Sequence, residues 1–298
     1  MASIAQTMPG QAPGGFVWPA WTLKLGRNGL LIVPAVAFMA AFYFAPLANL
    51  FAGSVLDQAG SLTLGHYASA LSSRRVLTAL ERTMRLSVAT TGITFLIAYP
   101  IALFLIGCGR RLRTAILVVT FASLAASLIV RNYGWLIVLA DAGPVNQLML
   151  ALGIFEAPVR MAYSEGAVLV GLVHYALPFM ILPIYGSLVR LSPSTWEAAQ
   201  SLGASPVTAL RTVVLPLSMP GIYGGVSLTF AIATSAFVTP LMLGAPSTAF
   251  VSQVAADEML VQLNFARGAA IVVVLTVCTF AALAAYTFSV RRIGVARV

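Results

Sequence analysis

Charge is what this 298-residue sequence has least of: only 8% of its residues are charged, eight of them acidic, where a soluble domain carries about 25%. A water-soluble globule is thereby excluded. Cysteine is almost as scarce, and Cys108 and Cys278 sit at the end of one apolar run and inside another with no second Cys or His at short spacing. That pattern argues against a disulfide framework or a metal site, and both read as small apolar side chains. The two histidines, His66 and His174, lie far apart, and there is no HExxH and no cluster of acids. An intramembrane enzyme, which needs a nucleophile with a base or a metal cluster, finds no residues here; no catalytic residue and no metal ligand is assigned.

Apolar residues supply what charge does not. They make up 60% of the chain, mean hydropathy is +0.95, and the solvent for most of the sequence is therefore lipid. Six runs are long enough for a hydrocarbon core of about 30 Å, which takes roughly 20 helical residues: 28–52, 84–107, 115–139, 165–189, 221–243 and 268–290. The predicted fold is an all-α integral membrane protein of six transmembrane helices. Residues 1–27, rich in Gly, Pro and Ala, read as a disordered cytoplasmic tail, and Trp18 and Trp21 fall near the membrane interface. Residues 53–83 form an external segment after the first helix, 84–290 the core, and 291–298 a cytoplasmic tail. A second external segment, 140–164, carries Pro144 at a helix start followed by an apolar stripe, which predicts a short surface helix. Pro34, Pro46, Pro100, Pro178, Pro183 and Pro240 fall inside or near the ends of spans, either as ordinary kinks or as hinges.

The net charge of +9 reports orientation before it reports a nucleic-acid partner, and none is expected. With both termini inside, ten basic residues (Lys24, Arg27, Arg110, Arg111, Arg113, Arg190, Arg211, Arg291, Arg292, Arg297) face the cytoplasm with one acid, Glu197, while seven basic and seven acidic residues lie outside. The bias of Lys and Arg is modest and favours cytoplasmic termini.

Between the fourth and fifth spans lies LSPSTWEAAQSLGASPVTALRTVVLPLSMPG, too polar to span and not of low complexity. Ser194 with Glu197 fits a capping box, Gly203 a C-terminal stop, and Ser205 with Pro206 a cap and first-turn proline that restart a helix, which Pro216 and Pro220 then end. The expected product is helix, break, helix on the cytoplasmic face. Glu197, Ala198, Ala199, Gly203, Leu215 and Pro216 make this loop resemble the signature of the permease subunits of bacterial ABC importers: EAA, three residues, Gly, then a hydrophobic-Pro pair, between the fourth and fifth of six spans. SLIVRNYGWLIVL, GPVNQLMLALGI, GLVHYALPFMILPIY and EAAQSLGAS are similar to the spermidine/putrescine group of that family.

The resemblance implies a type I importer permease in the bacterial inner membrane, with loop 192–219 holding a short coupling helix. It also implies a heterodimer with a second, homologous permease, two copies of a cytoplasmic ATPase subunit, and an external solute-binding protein. The chain has no Gly-rich phosphate loop followed by Lys-Ser/Thr, so no cofactor is expected in it, and ATP and Mg belong to the ATPase subunits. The small residues Ala198, Ala199 and Gly203 let a helix seat closely in a partner's groove, with Leu202, Val207 and Leu210 as apolar contacts.

Candidates for the translocation path are Arg131, Asn132, Tyr133 and Trp135 toward the outer end of the third span, Asp141 and Glu165 as partners for Arg131, and Thr234 and Ser235 in the fifth. For Arg131 two readings stand, a path residue or an interfacial anchor. Thr229, Thr234, Ser235 and Thr239 line a wet cavity or serve helix packing. His174 beside Tyr175 reads first as a packing histidine and His66 as a loop residue. The polyamine group implies spermidine or putrescine as solute; phosphonates, opines and amino-acid-like compounds are the alternatives. A secondary transporter would show paired half-repeats and buried carboxylates, and no span has an Asp or Glu near its centre.

Overall fold

The computed structural model describes residues 32–57, 60–191, 201 and 203–292, the last three as backbone only. Regular structure among them is helical, apart from one isolated bridge between Leu56 and Leu62. The chain divides into two compact units, 1–49 and 50–298. Among the described residues, five helices are long and apolar enough to cross a membrane, six if one bent pair counts as a span.

The first of them, α1 (Val33–Val55), lies mostly in the first unit and contains a π-turn over Ala40–Phe44, where the Ala45 N–H reaches back to Ala40 O. The next residue is Pro46. A proline ring collides with the carbonyl four residues earlier in an α-helix, and the wider turn gives that carbonyl room. The same device recurs in the second unit, where the Leu215 N–H bonds to Leu210 O in a π-turn just before Pro216. The helix therefore does not end at Pro216 or Pro220, as the sequence suggests, but runs without interruption from Pro206 to Thr234.

The second unit continues with α2 (Gly65–Leu71) and the 34-residue α3 (Arg74–Gly107). At 1.5 Å per residue α3 is about 50 Å long, well beyond the hydrocarbon thickness, and it starts ten residues before the apolar run at 84. Helices α4 (Arg110–Ala125) and α5 (Leu128–Val138) meet at a bend of 103°. The third predicted span, 115–139, is thus not one straight helix. Ala126 and Ser127 adopt extended ψ values of 134° and 131°, and the carbonyls they free at the end of α4 are bonded by a side chain from α5, described below. The predicted short helix after Pro144 is α6 (Pro144–Ala151). Then come α7 (Glu165–Leu188), α8 (Pro206–Thr234), α9 (Val238–Leu243), α10 (Val251–Leu260) and α11 (Phe265–Arg292). The predicted fifth span, 221–243, is divided between the end of α8 and α9.

Helices α3, α7 and α8 form the centre of the second unit. Ala98, Ala102 and Leu105 of α3, Met180, Ile184 and Leu188 of α7, and Ile222 of α8 are buried together. Lipid offers no hydrophobic drive for this association, so close backbone approach must supply it. At Gly221 an added Cβ would lie 2.6 Å from Ser187 Cβ and 2.9 Å from Ile184 Cα, and at Gly225 2.8 Å from Met180 Sδ. These two glycines, one turn apart, let α8 lie directly on α7. A second cluster joins Val76 and Ala79 of α3 to Val251, Val254 and Ala255 of α10 and to Ile271 of α11.

Candidate functional site

The loop singled out by the sequence is described from Gly203 onward; Glu197, Ala198, Ala199 and Leu202 lie outside the described residues. Gly203 has φ of +83° and nothing within 4 Å of where a Cβ would stand. The left-handed backbone is what an L side chain resists, and among the described residues there is space for one. Ser205 caps the following helix, its Oγ accepting from the Thr208 N–H at 3.2 Å, with Pro206 in the first turn. Val207 is 58% exposed, whereas Leu210 packs against the core of α3, α7 and α8. Of the two described apolar contact candidates, Val207 is the one left at the surface. Pro216 is inside α8.

The path candidates fall into three separate places. Arg131, Asn132 and Trp135 sit on α5 facing α7 and α9. The Arg131 guanidinium donates through Nη2 to Ser123 O and Ala126 O, the carbonyls freed at the end of α4, and lies 5.4 Å from the ring centroid of Tyr175. Its Nη1 has no partner among the described residues. Asn132 is fully buried and donates to Thr239 Oγ1 of α9 at 3.2 Å. Trp135 Nε1 donates to His174 Nδ1 at 3.0 Å, the rings edge to face. His174 is thus a hydrogen-bonded packing residue between α5 and α7, and Tyr133 points outward, 60% exposed.

Neither acid proposed to pair with Arg131 does so. Glu165, at the start of α7, is shared by two arginines of α3, with Arg82 Nε at 2.8 Å and Arg85 Nη2 at 2.7 Å. Asp141 is exposed and makes no ion pair among the described residues. The reason is local: Arg131 finds carbonyl acceptors five and eight residues earlier, at the bend, and α3 extends far enough beyond its apolar run to bring Arg82 and Arg85, on one face at i and i+3, to the first turn of α7. Asp257 and Glu258 of α10 are likewise taken, by Arg75 at 2.7 Å and Arg267 at 3.3 Å.

Thr234 and Ser235 lie in the third place, at the end of α8, where they line a cavity of about 410 Å³ with residues of α10 and α11. Ser252, Met259, Thr276 and Thr279 share this lining and escaped the sequence reading. Their spacing holds the signal: Ser252, Ala255, Ala256 and Met259, and Val272, Leu275, Thr276 and Thr279, follow i, i+3, i+4, i+7.

The described residues thus hold helices of membrane-spanning length, a left-handed Gly203 followed by a capped helix restart, and a cavity between helices that carries hydroxyls. The family model for the inner-membrane component of binding-protein-dependent transport systems matches residues 93–295. The chain belongs to that family. It is a multi-pass inner-membrane permease subunit of an importer that works with a binding protein. The permease is 32% identical over 254 residues, 83% of this chain and 88% of the relative, to the spermidine/putrescine transport system permease protein PotB of Haemophilus influenzae. It is 29% identical over 253 residues, 83% of this chain and 92% of the relative, to PotB of Escherichia coli. Among solved structures, the permease fold matches a bacterial ABC transporter involved in the import of the acidic polysaccharide alginate, with TM-score 0.77 at 17% identity over 90% of this chain and 97% of that one. At that identity the likeness carries the fold alone, that of a type I importer permease.

Proposed function

We propose that this permease carries a polyamine such as spermidine or putrescine, received from an external binding protein and passed inward by alternating access. The observation that carries the reading is the 29–32% identity with polyamine permeases over 83% of the chain. In this reading the chain pairs with a second, homologous permease, and two copies of a cytoplasmic ATPase bind ATP and Mg and hydrolyse the nucleotide. Both termini are cytoplasmic, and the loop 192–219 seats on the ATPase. The positive φ of Gly203 and the exposed Val207 support the last point: a small-residue break with an apolar side chain beside it fits a groove on another protein. Reconstitution of the complex with its binding protein tests the solute. Uptake of labelled spermidine should be ATP-dependent and displaced by unlabelled putrescine but not by a phosphonate or an amino acid. Displacement by either of the latter two, with none by putrescine, overturns the polyamine reading.

A further inference from the structure

The cavity between α8, α10 and α11 has one-sided chemistry. Five hydroxyls line it, and the hydrogen of each is committed to a backbone carbonyl of its own neighbourhood. Thr234 Oγ1 donates to Phe230 O and Ala231 O at 3.1 Å, and Ser235 Oγ to Ala231 O at 2.8 Å. Ser252 Oγ donates to Ala236 O at 2.6 Å, Thr276 Oγ1 to Val272 O at 2.8 Å and Thr279 Oγ1 to Leu275 O at 2.8 Å. A hydroxyl that has given its hydrogen away is only an acceptor, and none of the five accepts from a described residue. The other electron-rich groups in the lining are the Met259 thioether and the Phe280 ring, and none of the described lining residues bears an N–H or charged side chain. The nearest acids along α10, Asp257 and Glu258, are held in ion pairs by Arg75 and Arg267. Ser235 and Phe280 are exposed, so the cavity has a mouth.

We infer that this cavity is a resting site for an organic ammonium group, a cation with N–H donors and an apolar stem, inside the membrane-embedded part of the permease. A donor-rich head finds oxygen lone pairs and an aromatic face there, the stem finds alanine, valine and leucine, and an anion finds nothing to accept from. About 410 Å³ is within the range of small-molecule sites. Neutral acceptors in place of carboxylates suit a carrier, since a site on a path must release what it holds. The inference rests on the permease reading above, and it names residues and chemistry that the reading does not.

The test uses the assembled complex in nanodiscs, with Cys108→Ser and Cys278→Ser in this chain and Ala256→Cys as the probe, which leaves all five hydroxyls in place. The aminoethyl and sulfonatoethyl methanethiosulfonates are compared by the rate at which they modify this chain, followed by its mass, with the exposed Ser69→Cys as reference. The cationic-to-anionic rate ratio at 256 is expected to exceed that at 69 by about tenfold or more. Adding Thr276→Val and Thr279→Val, which removes two of the five acceptors, should lower it toward the reference, and 1,4-diaminobutane, but not succinate of the same length, should slow the cationic reagent. The protection arm needs no further substitution and stands if the double valine variant fails to assemble. Equal ratios at the two positions, or a preference that the valines leave undiminished, overturn the proposal. Reaction with neither reagent also overturns it, because a lipid chain or a helix of the second permease then fills the space. No arm depends on uptake, so a failed transport assay sinks the solute assignment and leaves this result separate.

Discussion

Substitution of Gly203 separates two requirements that its geometry combines. Its φ of +83° costs an L residue about 1–2 kcal/mol, a factor of roughly 5–30 in the population of the required turn. Its absent Cβ meets nothing within 4 Å among the described residues, so no clash with them adds to that figure. Asparagine adopts the left-handed region at much lower cost than alanine. If backbone strain alone mattered, Gly203→Asn would behave nearly as wild type and Gly203→Ala would be the damaged variant. If an ATPase groove closes over this position, any side chain fails there, and Gly203→Asp fails most because a carboxylate is desolvated as well. The expectation is that all three variants insert and retain the partner permease on purification, while ATP-driven uptake falls by about tenfold or more for Asn and is abolished for Asp. Proteoliposome uptake and copurification read the two quantities separately. Wild-type uptake by both Asn and Asp variants, with the ATPase bound, would refute the coupling role of this loop.

Two further outcomes follow from the packing and one from the bias of basic residues. Gly221→Leu should destabilise the chain by more than the roughly 1–3 kcal/mol of ordinary overpacking, because its Cβ would stand 2.6 Å from Ser187 Cβ; thermal unfolding in detergent measures it, and an unchanged midpoint would mean that α7 and α8 are not in contact there. Arg131→Ala should lower stability and uptake together, by about 1–3 kcal/mol for the former, since it uncaps the carbonyls at the 103° bend; lost uptake with an unchanged unfolding midpoint would instead make it purely a path residue. Single cysteines at Ser69 and Ser201, after replacement of Cys108 and Cys278, should label from outside and from inside respectively, and outside labelling at 201 in sealed cells would invert the topology.

Spans, caps and turns were legible in the sequence where one local cause decides them. Ser205 and Pro206 restart a helix, Gly203 takes the left-handed turn and Pro144 opens α6 because each needs only its own neighbours. Elements decided by distant partners were not legible. Helix α3 begins at Arg74 because Val76 and Ala79 pack on α10 and Arg82 and Arg85 reach Glu165, and an apolar run cannot register a polar extension held in that way. The bend between α4 and α5 carries no Pro or Gly at Ala126 and Ser127, so nothing at the break itself announced it. Pro216 was misread for the opposite reason: a π-turn of ordinary residues before it removes the clash that makes proline a helix stop. Of the cavity, Thr234 and Ser235 were visible as a polar run, while Ser252, Thr276 and Thr279 join them only through the packing of three helices.

The central claim, that this chain is a subunit of an ATP-driven importer, is tested most directly by solute accumulation in proteoliposomes containing either the complete complex with loaded binding protein or this chain alone. Accumulation of labelled spermidine against its gradient should require ATP, the binding protein and this chain together, and the chain alone should move nothing. Accumulation by the chain alone under an ion gradient would contradict the account, as would undiminished ATP-driven uptake by a complex that lacks it.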